Sequence, residues 1–310
     1  MFKKTDPTAL VGGIEAGGTK FVCAVGTSPN DLRAEIRIPT TTPDETIPQV
    51  IDFFRQQIDQ GDNLAAIGIG AFGPVDVCVN SPKFGWFLNT PKPGWQQIDF
   101  AGVIQHAFKV PVGFDTDVNA AALGEYRWGH GAGLETFIYL TVGTGIGGGG
   151  LVNGRPIHGL LHPEMGHMFI PHDLSVDPFV GSCPFHQDCL EGLASGFAME
   201  KRWQQKAASL PAAHPAWGLE AHYLAIGLIN IILMFSPERI ILGGGVMEHP
   251  QLLPMIRSQV RERLNSYMAV PQITTNINQY VVSPQLGNKA GIMGAFVLAQ
   301  QAADLNFTSL

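Results

Sequence analysis

Two stretches of this 310-residue chain are built alike, and together they restrict the fold more than any other feature. ALVGGIEAGGTKFVCAVG near the start and FIYLTVGTGIGGGGLVN in the middle each read as two apolar strands joined by a glycine-rich turn. After the first hairpin the periodicity predicts a strand at 34–40, an amphipathic helix at 45–60, a strand at 65–71, a helix at 100–108 and a strand at 111–115. A helix opening near Asn119 carries AAALGEYRWG and stops at Gly129, Gly131 and Gly133. The second hairpin leads through an Asn153-Gly154 turn to another strand. Helices at 190–205 and 220–235, a strand at 239–242, a helix at 251–266, a strand at 279–283 and a terminal helix from Asn288 follow. The second half repeats the first, and the length exceeds what one compact core usually holds, so an α/β chain with two lobes and a cleft is expected.

Composition narrows the partners. Hydrophobic residues at 45% and charged residues at 15% describe an ordinary globular interior. A formal charge of -7 without any basic run argues against nucleic acid, whose phosphates call for clustered Lys and Arg. Residues 1–8 are mostly polar and only Ala9-Leu10-Val11 precedes Gly12-Gly13, too short for the apolar core of a signal peptide, so a cytoplasmic protein is expected. The most apolar stretch, 224–235, is too short and too interrupted by Gly227 and Asn230 to cross a bilayer, and reads as a buried helix with no membrane partner. The Pro-rich TPKPGW, 90–95, reads as a loop able to reach over a cleft. Cys23 and Cys78 lie on apolar runs and are expected to be small core residues.

Three glycine clusters each follow a predicted strand: Gly17-Gly18-Thr19-Lys20, Gly143-Thr144-Gly145-Ile146-Gly147, and Gly243-Gly244-Gly245. Glycine lets backbone N–H groups approach phosphate oxygens, and Thr19 and Thr144 add hydroxyl donors, so the set suits a polyphosphate. None has Walker A spacing or opens a dinucleotide-binding helix. The pair Gly17-Gly18 also suits the positive φ of a tight hairpin turn.

Asp115 and Asp117 of VPVGFDTDVNAAALGEY stand at a strand-to-helix junction, where a side chain is held on a rigid base. Asp117 with Asn119 is the candidate functional pair and Asp115 is read as structural; the competing role for Asp117 is to cap the helix. Further on, CPFHQDC places Cys183, His186 and Cys189 at two-residue gaps in a turn-like segment. His167 of HPEMGH is the best fourth ligand for a closed, structural zinc site, with His158, His162 and His172 competing for the position.

GIEAGGTK, GTGIGGGGLVNG, HPEMGH and CPFHQDCLEG together resemble the ROK family of sugar kinases and sugar-responsive repressors, on the actin-like ATPase (hexokinase/RNase H-like) fold. On that fold residues 1–120 form a small lobe onto which a terminal helix at 289–310 packs back, and 121–288 form the larger lobe with the zinc loop. The resemblance implies ATP with magnesium, its phosphates at Gly17, Gly18, Thr19, Lys20, Thr144 and Gly145 and its adenosine beside Gly243, Gly244 and Gly245. It makes Asp117 the catalytic base, Asn119 a partner of sugar hydroxyls, and Glu164, His167 and Glu191 sugar contacts. Gly73 of GAFGPVD and Asn89 would complete the pocket wall. Glu15 stands where many relatives carry Asp and is a candidate near the metal. The loop C-x2-H-x2-C departs from the family's usual CxCGxxGC yet keeps the ligand count, and it resembles the fructokinase branch, which implies fructose ahead of glucose, mannose or an N-acetylated amino sugar. A homodimer is implied as well. The rival within the family, a DNA-binding repressor, needs a helix-turn-helix for which the eight residues before the first strand leave no room, and a non-catalytic sugar sensor is the other alternative.

Overall fold

The computed structural model describes residues 9–307, with side chains to Asp304. Residues 1–8, on which the expectation of a chain without a signal segment rests, lie outside the described residues. In chain order the elements are β1 Val11–Ala16, β2 Lys20–Ser28, β3 Asp31–Pro39, α1 Pro43–Asp59, β4 Ile67–Ala71, β5 Trp86–Phe87, β6 Ile98–Asp99, α2 Phe100–Phe108, β7 Val112–Thr116 and α3 Asp117–Trp128. Then follow β8 Phe137–Val142, β9 Ile146–Val152, β10 Arg155–Pro156, α4 Leu190–Ala194, α5 Gly196–Trp203, α6 Ala216–Phe235, β11 Arg239–Gly243, α7 Leu252–Leu264, α8 Pro271–Thr274, α9 Ile277–Tyr280, β12 Val281–Val282 and α10 Ala290–Phe307.

The chain divides into two compact units, one of residues 9–133, 156–163 and 288–307, the other of residues 134–155 and 164–287. Each holds one five-stranded sheet, in the order β3-β2-β1-β4-β7 and β10-β9-β8-β11-β12. In both, an antiparallel hairpin (β1–β2, β8–β9) is extended by strands that run parallel to its first member. Register decides what lies at the sheet ends. Ala16 pairs with Ala71 and Ala71 with Thr116, so the turn after β1, the GAFGPVD segment after β4 and Asp117 after β7 all leave the first sheet at one end. In the second unit Thr141 pairs with Gly243 and Val142 with Ile146, which brings the turn 143–145 and the glycine triplet to one end of that sheet. Crevices outside the carboxyl ends of parallel strands are where α/β sheets bind ligands.

Several sequence expectations are corrected. The single helix expected at 190–205 is broken at Ser195, whose extended backbone ends α4 while its hydroxyl accepts from Ala198 N at 3.1 Å and caps α5. The strand expected at 279–283 is reduced to Val281–Val282 because the helical turn α9 takes the residues before it. TPKPGW exposes Pro91, Pro93 and Gly94 but is anchored at its end: Trp95 is fully buried among Phe21, Phe87 and Phe100, and its Nε1 donates to Thr41 O at 2.8 Å. Helix α6 is longer than the stretch read from sequence and, by length and composition, is long and apolar enough to cross a membrane, but half of it is buried inside the protein, as in a core helix.

Helix α10 lies across β1, β4 and β7 and along α3. Gly13, Gly68 and Gly113 pair in one row across those strands, and the missing side chains form the trough that admits it. A Cβ on Gly13 would fall 2.7 Å from Phe296, one on Gly68 would collide with the Ala295 carbonyl oxygen, and one on Gly113 with that of Leu298. Close backbone packing of this kind leaves no soft atom to yield. Gly68→Ala is therefore expected to lower stability by about 1–3 kcal/mol or more in chemical denaturation, whereas Gly18→Ala, with nothing within 4 Å of the added carbon, should leave the midpoint almost unchanged; equal effects would refute the trough.

Candidate functional site

In the first unit the site is built at the end of β7. Thr116 is the N-cap of α3, its hydroxyl accepting from Asn119 N at 3.1 Å, so the capping role open to Asp117 belongs to its neighbour. Asp117 is the first residue of the helix, half-buried, with Oδ1 accepting from Val118 N at 2.9 Å, at the end whose dipole favours an anion. Asn119 is fully buried and its Nδ2 donates to Asp115 Oδ1 at 2.9 Å. Asp115, 2% exposed, also accepts from Thr116 N at 2.7 Å and faces His158 Nε2 at 2.9 Å. The Asp115 carboxylate pulls the His158 imidazole above its ordinary range, against a smaller opposing effect of burial.

The other sequence-named positions of this unit are less closely joined. The turn at Gly17, Gly18 and Thr19 is braced by Thr40, whose Oγ1 donates to Gly17 O at 2.7 Å and whose N–H donates to Thr19 O at 3.0 Å. Neither glycine there has positive φ, contrary to the sequence expectation. Gly18, Thr19 and Lys20 are exposed, which leaves the turn open to solvent. Gly73 lies in the segment after β4, where His162 Nε2 accepts from Val75 N at 3.1 Å; burial lowers the His162 pKa, consistent with a neutral ring. Asn89 is exposed and makes no side-chain hydrogen bond among the described residues.

The second unit gathers His167, Cys183, His186 and Cys189, whose candidate ligand atoms all lie within 4.8 Å of one another. Cys183 Sγ is 3.6 Å from His167 Nδ1 and 3.8 Å from His186 Nδ1, and Cys189 Sγ is 3.6 Å from His167 Nδ1. Tetrahedral bonds of about 2.3 Å to sulfur and 2.0 Å to nitrogen place such atoms about 3.6 Å apart, so the set fits one metal ion. The turn closes by paired hydrogen bonds between Cys183 and Gln187, with Gln187 at φ 57°. The three competing histidines go elsewhere: His158 to Asp115, His162 to Val75, and His172 to the Asp177 carbonyl at 3.0 Å and the Asp188 carboxylate at 3.3 Å.

Glu191 joins this cluster to the second glycine hairpin. It sits in the first turn of α4, two residues past Cys189, with Oε2 accepting from Ile146 N at 2.9 Å and Oε1 3.9 Å from His167 Nε2. His167 thus turns Nδ1 to the cysteines and Nε2 to the carboxylate. A Cβ on Gly145 would fall 2.6 Å from Glu191 Oε2, so a side chain there would displace the Glu191 carboxylate. The Glu164 carboxyl pKa is raised to about 7, first by desolvation of the carboxyl and then by the Glu191 carboxylate. Thr144 is exposed, and the carbonyls of Gly143 and Thr144 accept from Gly196 N and Phe197 N at 2.7 and 3.2 Å, docking the hairpin on the start of α5. Gly243 ends β11 and is buried, Gly244 has φ 94° and lies against the Val142 backbone, and Gly245 is exposed.

Sequence reasoning missed a brace behind Glu191. Arg202 donates to Asp177 through Nε at 3.2 Å and to the Leu193 carbonyl at 2.8 Å, and Tyr223 OH donates to Asp177 Oδ2 at 2.7 Å, which ties down the end of α4. The partners lie 25 and 46 positions apart, so no local pattern announces them.

Glu15, on β1, has its carboxyl enclosed against Gly291 of α10. Burial pushes it from the ordinary 4.5 up to about 7, with Lys20 opposing. Such a group binds a proton on folding between those two values, so stability falls as pH rises across that window and stays lower above it. Glu15→Gln removes this dependence. The variant is expected to melt a few degrees above wild type at pH 8 and level with it at pH 4; an equal difference at both would show that Glu15 titrates normally.

Among known proteins, the ROK family model matches residues 11–302. The chain is 49% identical over 293 residues to a protein named putative fructokinase from Bacillus subtilis (strain 168), covering 94% of this chain and 96% of that one. It is 45% identical over 297 residues to a fructokinase of Zymomonas mobilis subsp. mobilis, covering 94% and 97%. The ROK family glucokinase from Streptomyces griseus, solved in complex with glucose and AMPPNP, superposes with a TM-score of 0.73 at 26% identity, over 94% of this chain and all of that one. The two repeated sheets are those of the actin-like ATPase fold, and the chain belongs to the ROK family.

Proposed function

We propose that this protein is an ATP-dependent hexose kinase that converts D-fructose to fructose 6-phosphate, with Asp117 as general base. The observation that carries the reading is the near full-length similarity to proteins named fructokinase, in a chain that places a carboxylate at the first turn of α3. Phosphoryl transfer asks the protein for position and charge stabilisation, and for a group that takes the proton of the attacking hydroxyl. Asp117 is held by a capped, buried junction and supplies that acceptor; Asn119, fixed through Asp115, binds sugar hydroxyls. Glu164, His167 and Glu191 are assigned as sugar contacts, and Gly73 and Asn89 as pocket-wall residues. The turns at Gly17–Lys20 and Thr144–Gly145 bind the phosphates of ATP, and Gly243–Gly245 borders its adenosine. Magnesium, carried on the ATP phosphates, neutralises their charge.

The Cys2His2 set is assigned to a structural zinc. Its sulfur and imidazole donors suit that ion, and all four positions are occupied by protein, which leaves none open for chemistry. Held there, the ion would fix His167 and the start of α4, and with them Glu191. The reading includes a homodimer, supported by the exposed apolar side chains Phe169, Val176, Val180 and Phe185 crowded along one segment, and a cytoplasmic location, supported by four free cysteines.

ADP release measured against a panel of fructose, glucose, mannose and N-acetylated amino sugars is expected to be largest with fructose; silence with every sugar would retire the kinase reading. Asp117→Asn is expected to lower kcat by about 10²–10⁴ while fructose affinity by calorimetry and the melting temperature stay close to wild type. Near-normal turnover in that variant would remove Asp117 from the role. The purified protein is expected to carry stoichiometric zinc by elemental analysis, and removal by a strong chelator to lower its melting temperature; metal-free protein of unchanged stability would refute the assignment.

A further inference from the structure

Asp115 is a buried carboxylate whose two oxygens serve different partners. Oδ1 accepts from Thr116 N at 2.7 Å and Asn119 Nδ2 at 2.9 Å, and Oδ2 meets His158 Nε2 at 2.9 Å. A charge removed from water needs a countercharge or a full set of donors. His158 is the basic side chain that bonds Asp115 directly, and His162 feels the same carboxylate at longer range. It comes from residues 156–163, a segment that belongs to the first unit although it is far from β7 in sequence. The same segment is pinned a second time, where His162 Nε2 accepts from Val75 N.

We propose that His158 is a positioning residue for the sugar: by fixing the Asp115 carboxylate in place through Oδ2, it sets which end of the Asn119 amide faces Asp115 and where the first turn of α3 lies. The inference rests on the reading of Asn119 and Asp117 given above. An amide has a donor end and an acceptor end of the same shape. Only its partner decides between them. With Asp115 a carboxylate, Nδ2 must face it, and the amide is presented to a sugar in one orientation. With an amide in place of Asp115, either end of Asn119 would serve, and the orientation would be lost. His158 donates from Nε2 both as imidazolium and as the Nε2–H tautomer, so its role survives loss of charge. The titratable group that acts on it is Asp115, which raises its pKa against the lowering effect of burial, while His158 in turn lowers the pKa of His162 in the same segment.

The test compares His158→Ala, His158→Gln and Asp115→Asn with wild type in fructose and ATP kinetics, fructose calorimetry, thermal melting and NMR titration of the His158 ring. His158→Ala is expected to lower kcat/KM for fructose by about tenfold to a hundredfold with KM for ATP within about twofold of wild type. Gln places an amide N–H near the former Nε2 and should recover most of the loss. The His158 pKa should lie above that of free imidazole in wild type and fall to it or below in Asp115→Asn, where only the lowering effect of burial remains. A merely structural histidine would lower the melting temperature and affect both substrates alike, and Gln would not rescue it. Fructose kinetics unchanged in His158→Ala, or a His158 pKa indifferent to Asp115→Asn, overturns the proposal. If the Ala variant does not fold, the Gln variant and the titration decide. If wild type phosphorylates no hexose, the kinase reading fails, while the titration and calorimetry still decide for or against His158.

Discussion

A helix backbone rests directly on a sheet in this protein because three neighbouring strands lack side chains at the same level. The row Gly13, Gly68 and Gly113 brings α10 against β1, β4 and β7, and α10 in turn backs α3. Rigidity at the end of β7 follows from that contact. Asp115, Thr116, Asp117 and Asn119 occupy a junction whose strand and helix are both clamped from behind, so their side chains hold geometry through hydrogen bonds of 2.7 to 3.1 Å.

The second unit reaches the same end by different means. Its candidate residues sit on short segments: a turn closed around two cysteines, a one-turn helix, and a glycine hairpin. Such segments cannot fix one another through a large core. Crosslinks take over. Glu191 accepts from the hairpin at Ile146 and faces His167, His167 turns its other nitrogen to Cys183 and Cys189, and Arg202 holds the far end of α4. Polar groups of this density are stable only when nearly all are satisfied. His172 and Tyr223, both bound to Asp177, belong to that balance.

Much of this was legible in the residues. Glycine-rich turns between apolar strands are strong local signals, and both hairpins, the long helices and the strand-to-helix junction at Asp117 stand where periodicity puts them. Three members of the metal set were legible in one stretch because a C-x2-H-x2-C turn is short, and His167 was read as the best fourth among competing histidines. Other local readings were incomplete or failed where tertiary packing overrode them. TPKPGW is an exposed loop at Pro91, Pro93 and Gly94, but its Trp95 is an aromatic anchor of the first core. A helix propensity continuous from 190 to 205 is interrupted because Ser195 and Gly196 cap a new helix and bond the hairpin at Gly143.

The sequence by itself therefore determined the kind of elements, the glycine turns, the D-x-N junction and the cysteine spacing, since each is set by residues within one turn or one strand pair. Tertiary structure supplied the contacts that the residues only suggested or did not show: His167 Nδ1 beside both cysteines, Glu191 across the second hairpin, and Asp115 as the hub of the first site rather than a bystander. The reason is the separation of the partners: His158 lies 43 positions from Asp115 and Glu191 45 from Ile146. Contacts of that kind are chosen by the strand order and register of the folded sheets, and no periodicity of the chain encodes them.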